Sequence, residues 1–151
     1  MKSYKPKPRL YRGFRDIFAS DLLMRQQMLD SIREVYELYG FAPLETPTVE
    51  FVETLGKFLP ESQTPDGGIF SFQNEDDEWI ALRYDLTASL SRVCAQYKDL
   101  QRPFRRYQVG PVYRLEKPGP DHFREFYQFD FDTVGTKSMM ADAEGCCVLC
   151  D

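Results

Sequence analysis

The sequence predicts an α+β fold in which helices flank an antiparallel β-sheet. Segments with a helical period and segments with strand-like alternation are both present, and short turns join successive strands where a parallel sheet would need crossover helices. The chain has 151 residues, of which 42% are hydrophobic and 28% are charged. These values are typical of a folded, soluble protein and exclude an intrinsically disordered one.

The helical period is clearest between residues 21 and 39. The apolar positions of this segment are Met24, Met28, Ile32, Val35, Tyr36 and Tyr39. Ser20 or Asp21 can cap the helix, and Gly40 ends it. Residues 41–47 contain two prolines and predict an edge strand or a strand start. We expect a second short helix over residues 49–59 and a turn over residues 65–68.

Residues 69–73 and 78–83 flank an acidic turn at residues 74–77 and predict a β-hairpin. Another helix follows Asp85. Its apolar stripe consists of Leu86, Leu90, Val93, Cys94 and Tyr97. Asp85 has two interpretations at this stage. It can serve only as the N-cap of this helix, or the loop and the helix N-terminus can carry polar groups into a site.

Two longer strands are predicted over residues 104–115 and 123–134, with a loop at residues 117–121 between them. A last helix is predicted from near Lys137 up to the final residue, Asp151. Because this helix has neither a cap nor a stop signal at its end, we expect the chain to be truncated.

The strand at residues 123–134 has two unlike faces, since side chains alternate along a strand. One face, expected to be core, carries Phe123, Tyr127, Phe129 and Phe131, with Glu125 as the exception. The other face carries Arg124, Phe126, Gln128, Asp130 and Asp132. Burying that second face would bury unpaired charge, so we expect it to be accessible. It is either solvated exterior or the site of a ligand with a flat ring, a phosphate and an ammonium group.

The preceding strand has a matching face. Arg106, Gln108, Arg114 and Glu116 share one parity, and a register with even residue sums would place them beside Arg124 and Phe126. Arginine is favoured wherever phosphate is recognised through paired hydrogen bonds. Residues 102–124 hold six cations and two acids, although the whole chain has a net charge of −5. A local basic patch is therefore predicted on an acidic protein.

The four cysteines do not predict a metal site. Cys146, Cys147 and Cys150 fall at helical spacing, and His122 is the only histidine. This favours thiols that act as small apolar residues on a helix face. No disulfide framework and no membrane-length apolar run are present, so a cytoplasmic protein is expected.

Four segments in order resemble the histidyl-tRNA synthetases, which are class II aminoacyl-tRNA synthetases. Residues 12–16, Arg-Gly-Phe-Arg-Asp, resemble the opening motif of that family. Residues 21–50 resemble motif 1, residues 82–87 the loop that contacts histidine, and residues 104–135 motif 2. The resemblance implies that residues 1–151 are part of a class II catalytic domain. Motif 3 and the anticodon-binding domain would be absent.

The resemblance also implies roles for individual residues. Arg114 is similar to the catalytic motif 2 arginine, which binds the ATP α-phosphate and the substrate carboxylate. Glu116 corresponds to an acid near the adenine amino group, Phe126 to the ring beneath adenine, and Arg124 to an ATP-binding position. The positions implied to bind histidine are Asp85, Leu86, Thr87, Arg114, Gln128 and Asp132. His122 stands where bacterial members often have an arginine near the γ-phosphate.

The implied reaction activates L-histidine with ATP and Mg²⁺ to histidyl-adenylate and then transfers histidine to tRNA(His). A homodimer through motif 1 is implied, and the chain alone is expected to be weakly active or inactive. One alternative is the regulatory subunit of ATP phosphoribosyltransferase, a non-catalytic relative that binds histidine. A third interpretation is a dimerisation or interaction module that binds neither ATP nor histidine.

Overall fold

The computed structural model describes residues 6–58 and 68–151, with only the backbone of residues 56–58. Within these ranges the α-helices are α1 (Ala19–Leu38), α2 (Thr87–Gln96) and α3 (Met140–Val148), and a 3₁₀ helix covers Val52–Phe58. The strands are β1 (Ala42–Pro43), β2 (Val49–Phe51), β3 (Ser71–Gln73), β4 (Trp79–Leu82), β5 (Phe104–Tyr113) and β6 (Glu125–Val134). The predicted mixture of helices and antiparallel sheets is confirmed.

The first sheet has the strand order β1-β5-β6. β5 and β6 pair antiparallel over ten residue pairs, from Phe104 opposite Val134 to Tyr113 opposite Glu125. The two residue numbers of every pair sum to an even number, which is the register that the prediction of matching faces required. β1 lies at the edge of the sheet, as the two prolines of residues 41–47 predict, but it pairs parallel to β5. The sheet is therefore mixed and not wholly antiparallel. The connection between β1 and β5 is long enough to allow either a parallel or an antiparallel pairing of these two strands.

The second sheet is antiparallel, with the order β2-β4-β3. The predicted hairpin is confirmed, and in its turn Asn74 Oδ1 accepts hydrogen bonds from the backbone N–H groups of Asp76 and Glu78. The prediction of a helix from residue 49 was wrong at its start. Residues 49–51 form β2, whose alternating burial places Glu50 inside the protein, where it pairs with Arg92. The helical turn begins only at Val52. Residue 59 and most of the predicted turn at residues 65–68 lie outside the described residues.

Helix α1 begins at Ala19, two residues before the predicted start at residue 21. Phe18 occupies the N-cap position with an extended backbone, and no side chain caps this end, so the predicted caps Ser20 and Asp21 were wrong. Asp21 instead lies in the first turn, where its negative charge interacts favourably with the positive end of the helix dipole. Gly40 ends the helix at φ +77°, as predicted. Its left-handed backbone conformation is one that glycine adopts without strain.

The C-terminal half of α1 packs on the core face of the β5–β6 hairpin. Tyr36 is the centre of this cluster, and its ring centroid lies 5.0 Å from those of Phe129 and Phe131. The core assignment of these two phenylalanines is confirmed. That of Tyr127 was wrong, since Tyr127 is exposed beneath the guanidinium of Arg25. Tyr127 pairs with residue 111, beyond the part of β5 that β1 and α1 cover. Phe123 precedes β6 and is half-buried.

Helix α2 buries Leu90 and Val93, and Leu86 is buried at its N-cap position. The helix ends at Gln96, so the predicted stripe residue Tyr97 lies outside it and is exposed. Helix α3 begins at Met140 and ends at Val148, which is its buried residue. The expectation that the cysteines form the apolar face of this helix was wrong. Cys146, Cys147 and Cys150 are free thiols exposed to solvent, because Val148 occupies the position that faces the core. No described helix is long and apolar enough to cross a membrane.

Candidate functional site

The register of β5 and β6 brings most of the predicted site residues onto one face of the hairpin. Gln128 lies opposite Gly110, and Phe126 lies opposite Val112. Beyond the assigned strand ends, the backbone N–H of Arg114 donates to the carbonyl of Arg124 at 2.9 Å. This bond continues the ladder by one pair and keeps both arginines on the same face as Phe126.

Arg114 lies between an aromatic ring and the predicted substrate loop. Its guanidinium carbon is 5.1 Å from the centre of the Phe126 ring, within the range of a cation–π contact. Its Nε donates to the carbonyl of Tyr84 at 3.4 Å. The Tyr84 hydroxyl has a pKa raised to about 12, because it is partly buried and lies beside the negative charge of Asp85, with which it also forms a hydrogen bond. It therefore stays protonated at neutral pH.

Arg124 is held by the N-terminal segment. Its backbone N–H donates to the Gly13 carbonyl at 2.8 Å, and its Nη1 donates to the Tyr11 hydroxyl at 3.1 Å. Gly13 has φ +88°, and a Cβ there would lie 2.8 Å from Cγ of Arg124. Glycine is required at this position for both reasons. The segment around Gly13 thus fixes where the arginine points.

The loop before α2 makes backbone contacts with the site. Asp85 Oδ1 accepts the N–H of Ala88 at 2.8 Å, so the carboxylate caps the helix although the first fully helical residue is Thr87. Asp85 therefore caps the helix, as predicted, although Leu86 occupies the N-cap position itself. The same carboxylate also forms the hydrogen bond with the Tyr84 hydroxyl. The Leu86 side chain is completely buried, so Leu86 can offer a ligand only its backbone. Thr87 is exposed at the start of the helix.

The other end of this hairpin face is acidic and is more deeply buried than predicted. Arg106 and Gln108 are almost completely inaccessible, which corrects the expectation that this face is accessible along its whole length. The loop before α2 and the segment around Thr46 cover it, and Gln108 Nε2 donates to Thr46 Oγ1 at 2.9 Å. Arg106 pairs with Asp132 at 2.5 Å between Nη2 and Oδ2. Asp132 also lines an open cavity of about 550 Å³ between β6 and α3.

Two further polar groups lie on this acidic part of the face. Burial raises the pKa of the Asp130 carboxyl; Arg106 opposes that rise, while the negative charges of Asp132 and Asp85 add to it. Oε1 of Gln128 is buried and has no hydrogen-bond partner among the described residues. An unpaired buried carbonyl oxygen is costly, and a ligand that donates a proton would satisfy it.

Comparison with known proteins identifies the family. The family model described as histidyl-tRNA synthetase matches residues 13–151. The chain belongs to the histidyl-tRNA synthetase family. It is 58% identical over 149 residues to a histidine–tRNA ligase from Dinoroseobacter shibae and 57% identical over 150 residues to one from Cereibacter sphaeroides. These alignments cover 98% and 99% of this chain. The chain spans about 30% of the length of these curated relatives.

Solved structures agree with this family. A histidyl-tRNA synthetase from Nostoc sp. PCC 7120 superposes with a TM-score of 0.76 at 33% identity, covering 94% of this chain and 32% of that one. An ATP phosphoribosyltransferase regulatory subunit/histidyl-tRNA synthetase from Bacillus halodurans C superposes with a TM-score of 0.82 at 28% identity. That alignment covers 97% of this chain and 38% of the other.

In this member of the histidyl-tRNA synthetase family, not all predicted site residues meet on the hairpin face. Glu116 is exposed beyond β5, and it is the backbone carbonyl of Glu116 that contacts Arg124, at 2.9 Å from Nε. His122 is also exposed, in the loop, where its backbone and that of Gly119 exchange hydrogen bonds. The residues that do meet there are Asp85, Arg114, Arg124, Phe126, Gln128 and Asp132.

Sequence reasoning missed the contribution of Arg83, the first residue after β4. Arg83 is 4% exposed, and its guanidinium donates to the carbonyls of Pro111 and Thr46, each at 2.9 Å. Gly110 leaves the space that this guanidinium occupies. The signal in the sequence was a glycine inside a predicted strand, which often marks the close approach of another group.

Proposed function

We propose that this chain is the front part of a histidine–tRNA ligase and carries the surface on which L-histidine reacts with ATP. The observation that carries the proposal is the position of Arg114. It lies against the ring of Phe126 and is bound to the carbonyl of Tyr84, which directly precedes Asp85. One cation is thereby placed between a stacking surface for a base and an acidic pocket for an ammonium group.

The charges along the hairpin suit the two substrates. Arg114 and Arg124 lie at the open end, where the phosphates of ATP would bind, and Phe126 offers its ring to adenine. Asp132 and Gln128 lie further along the same face, with Asp85 in the adjoining loop, where they would hold the amino group and the imidazole of histidine. This division keeps the anionic substrate away from the carboxylates.

The reaction joins two anionic groups, and Arg114 is placed to reduce their repulsion. An oxygen of the histidine carboxylate attacks the α-phosphorus of ATP, and the bond from that phosphorus to the pyrophosphate oxygen breaks. A guanidinium between the carboxylate and the α-phosphate holds both in position and stabilises the charge that develops as pyrophosphate leaves. Transfer of histidine from the adenylate to tRNA(His) follows.

Mg²⁺ enters this proposal only as the partner of ATP. Among the described residues there is no group of three His, Cys, Asp or Glu side chains that could hold a metal ion. Magnesium in nucleotide sites is usually bound through phosphate oxygens and one or two carboxylates, so the ion would arrive with its nucleotide.

A homodimer through residues 21–50 is supported by the exposed apolar side chains of α1. Leu23, Met24 and Met28 are 67%, 66% and 56% exposed, and apolar groups gathered on one helix are typical of a contact surface. Sedimentation of the chain with and without Met24→Glu and Met28→Glu tests whether the chain is a dimer and whether these side chains are part of the dimer contact. We place the protein in the cytoplasm, where its cysteines would remain free thiols.

The regulatory alternative is not favoured. The curated relatives that are 57–58% identical to this chain are named histidine–tRNA ligases. Arg114, Glu116, Arg124 and Phe126, which the family resemblance implies to bind ATP, are all present in this chain. Binding of ATP separates the two functions, because a histidine sensor has no need of an adenine-stacking surface.

A chimera tests the proposal directly. Residues 1–151 would replace the matching part of the Dinoroseobacter shibae ligase, and histidine-dependent exchange between ATP and pyrophosphate would be measured. We expect a rate within about tenfold of the parent enzyme, and a loss of about 10²–10³-fold with Arg114→Ala. Lys98→Ala, which removes an exposed cation outside the hairpin, is the matched control and should keep the rate. A folded chimera that lacks exchange activity, or that keeps it with Arg114→Ala, would contradict the proposal.

A further inference from the structure

Arg106 is a completely buried arginine in the middle of β5. Its exposed fraction is zero, and it is the largest fully buried side chain among the described residues. Its Nη2 pairs with Asp132 and lies 3.5 Å from the carbonyl of Leu86. Its Nε and Nη1 are buried without a hydrogen-bond partner in the described part of the chain. The proposed reaction, as described above, makes no use of it.

A buried cation of this kind is expensive for folding. Burial lowers the pKa of the Arg106 guanidinium, and the nearby charges of Asp132, Asp130, Cys94 and Asp85 oppose this effect. Buried ion pairs are often no more stabilising than apolar side chains of the same volume. Stability alone therefore does not account for an arginine here, and two unpaired nitrogens add to its cost.

The geometry around Asp132 shows what the arginine does. Oδ2 of Asp132 faces Arg106 and is buried, whereas the Asp132 side chain as a whole is 29% exposed. The exposed part therefore belongs to its other atoms, which include Oδ1. One oxygen of the carboxylate is therefore committed to the protein, and the exposed part of the side chain lies among its remaining atoms.

The second contact of Arg106 reaches the loop at residues 82–87. The same Nη2 that meets Asp132 also approaches the carbonyl of Leu86, the residue between Asp85 and Thr87. One guanidinium nitrogen thus links β6 to the loop. The residues proposed to hold histidine lie on both sides of this link, with residues 85–87 in the loop and Gln128 and Asp132 in β6. The distance between the loop and β6 depends on the link.

We propose that Arg106 is a positioning residue for histidine selection, which orients the Asp132 carboxylate and fixes the substrate loop at the Leu86 carbonyl. The inference rests on the proposed function, since histidine is the ligand concerned. Arg106 also separates three carboxylates, those of Asp85, Asp130 and Asp132, which would otherwise repel one another on one face. Without it, the Asp132 carboxylate would turn away, and its oxygen would no longer accept a hydrogen bond from the ligand.

Titration calorimetry of the full 151-residue chain with L-histidine, and separately with ATP, tests the inference. Arg106→Met should weaken histidine binding at least tenfold and change ATP affinity less than twofold, because Arg114 and Phe126 lie at the other end of the hairpin. Arg106→Lys restores the charge without the planar group and should recover only part of the affinity. If Arg106→Met does not fold, the Lys variant carries the test, with the same expected separation between histidine and ATP.

A double-variant cycle separates positioning from a merely structural role. Asp132→Asn alone should also weaken histidine binding, and Arg106→Met should cause little further loss in its presence, since both act through one carboxylate. Arg92→Met is the matched control, because Arg92 pairs with buried Glu50 outside the site. The Arg92→Met substitution should lower the melting temperature and leave the affinity for histidine unchanged.

These experiments separate a failure of the inference about Arg106 from a failure of the proposed function. If the unmodified chain binds histidine and both Arg106 variants bind it equally well, the inference is overturned and the proposed function stands. Additive losses from Arg106→Met and Asp132→Asn would overturn the inference in the same way. If the unmodified chain binds neither histidine nor ATP, the claim that residues 1–151 carry the substrate surface fails, and the inference fails with it.

Discussion

The guanidinium group of Arg83 occupies the space that a side chain at residue 110 would fill. Gly110 lies in β5, and Arg83 follows β4, so this contact joins the two sheets. The carbonyl of Arg83 also accepts the N–H of Tyr113 at 2.9 Å. Because Arg83 directly precedes Tyr84 and Asp85, the contact holds the loop at residues 82–87 against β5, which Arg114 directly follows.

Gly110→Ala should therefore destabilise the protein. The added methyl group would meet the buried guanidinium, and enlarging a packed site typically costs about 1–3 kcal/mol. Urea denaturation followed by circular dichroism would measure the change in the free energy of unfolding. Gly68→Ala is the control, because no described atom lies within 4 Å of a Cβ built at residue 68. Equal stability of the two variants would show that Arg83 moves aside at no cost.

Phe126→Ala should weaken ATP binding with little effect on histidine binding. Stacking of a base on an aromatic side chain contributes about 1–3 kcal/mol, and Phe126 is the ring that lies against Arg114. Phe126→Tyr keeps the ring and should keep the affinity. Tyr127→Ala removes the neighbouring aromatic side chain, which projects from the opposite face of β6, and should leave ATP binding unchanged. Equal losses of ATP affinity from Phe126→Ala and Tyr127→Ala would contradict the assigned stacking surface.

Asp130→Asn should raise the melting temperature at neutral pH. Burial raises the pKa of the Asp130 carboxyl in the folded protein; Arg106 opposes the rise, and the charges of Asp132 and Asp85 add to it. The folded state thus favours the protonated acid, so the ionised group reduces stability at neutral pH. The advantage of Asn should shrink as the pH falls through the raised pKa towards the unfolded value, because the wild-type carboxyl then becomes neutral too.

Thermal melts of both proteins between about pH 7.5 and about pH 4.5 would measure this difference. Asp76→Asn, in the exposed acidic turn between β3 and β4, changes the net charge by the same amount and controls for it. A melting temperature at neutral pH that is lower for Asp130→Asn than for the wild type would contradict the assigned environment of Asp130.

Much of the hairpin could be predicted because strand alternation is a local property of the sequence. The aromatic face identified Phe129 and Phe131 as core residues, and the polar parity of Arg114, Gln128 and Asp132 placed them together. The two prolines of residues 41–47 likewise predicted an edge strand. In each case neighbours along the chain determine the structure, so no knowledge of distant contacts is needed.

The errors concern residues whose environment depends on distant segments. Arg106 looks like a surface cation in the sequence, but the loop before α2 covers it. Glu50 was placed in a predicted helix, but it is buried in β2 because Arg92 of α2 pairs with it. The thiols of α3 looked apolar by spacing, yet Val148 is the residue that meets the core. Tertiary contacts override local propensity at such positions.

Nuclear magnetic resonance titration of the isotope-labelled chain with L-histidine tests most directly whether the hairpin face binds histidine, since it locates the site even when binding is weak. We expect chemical shifts to change chiefly at residues 84–88, 114 and 128–132, with residue 126 responding when ATP is added. Shift changes confined to α3 and the exposed cysteines, or no change at saturating histidine, would contradict the assignment of this hairpin face as the substrate site.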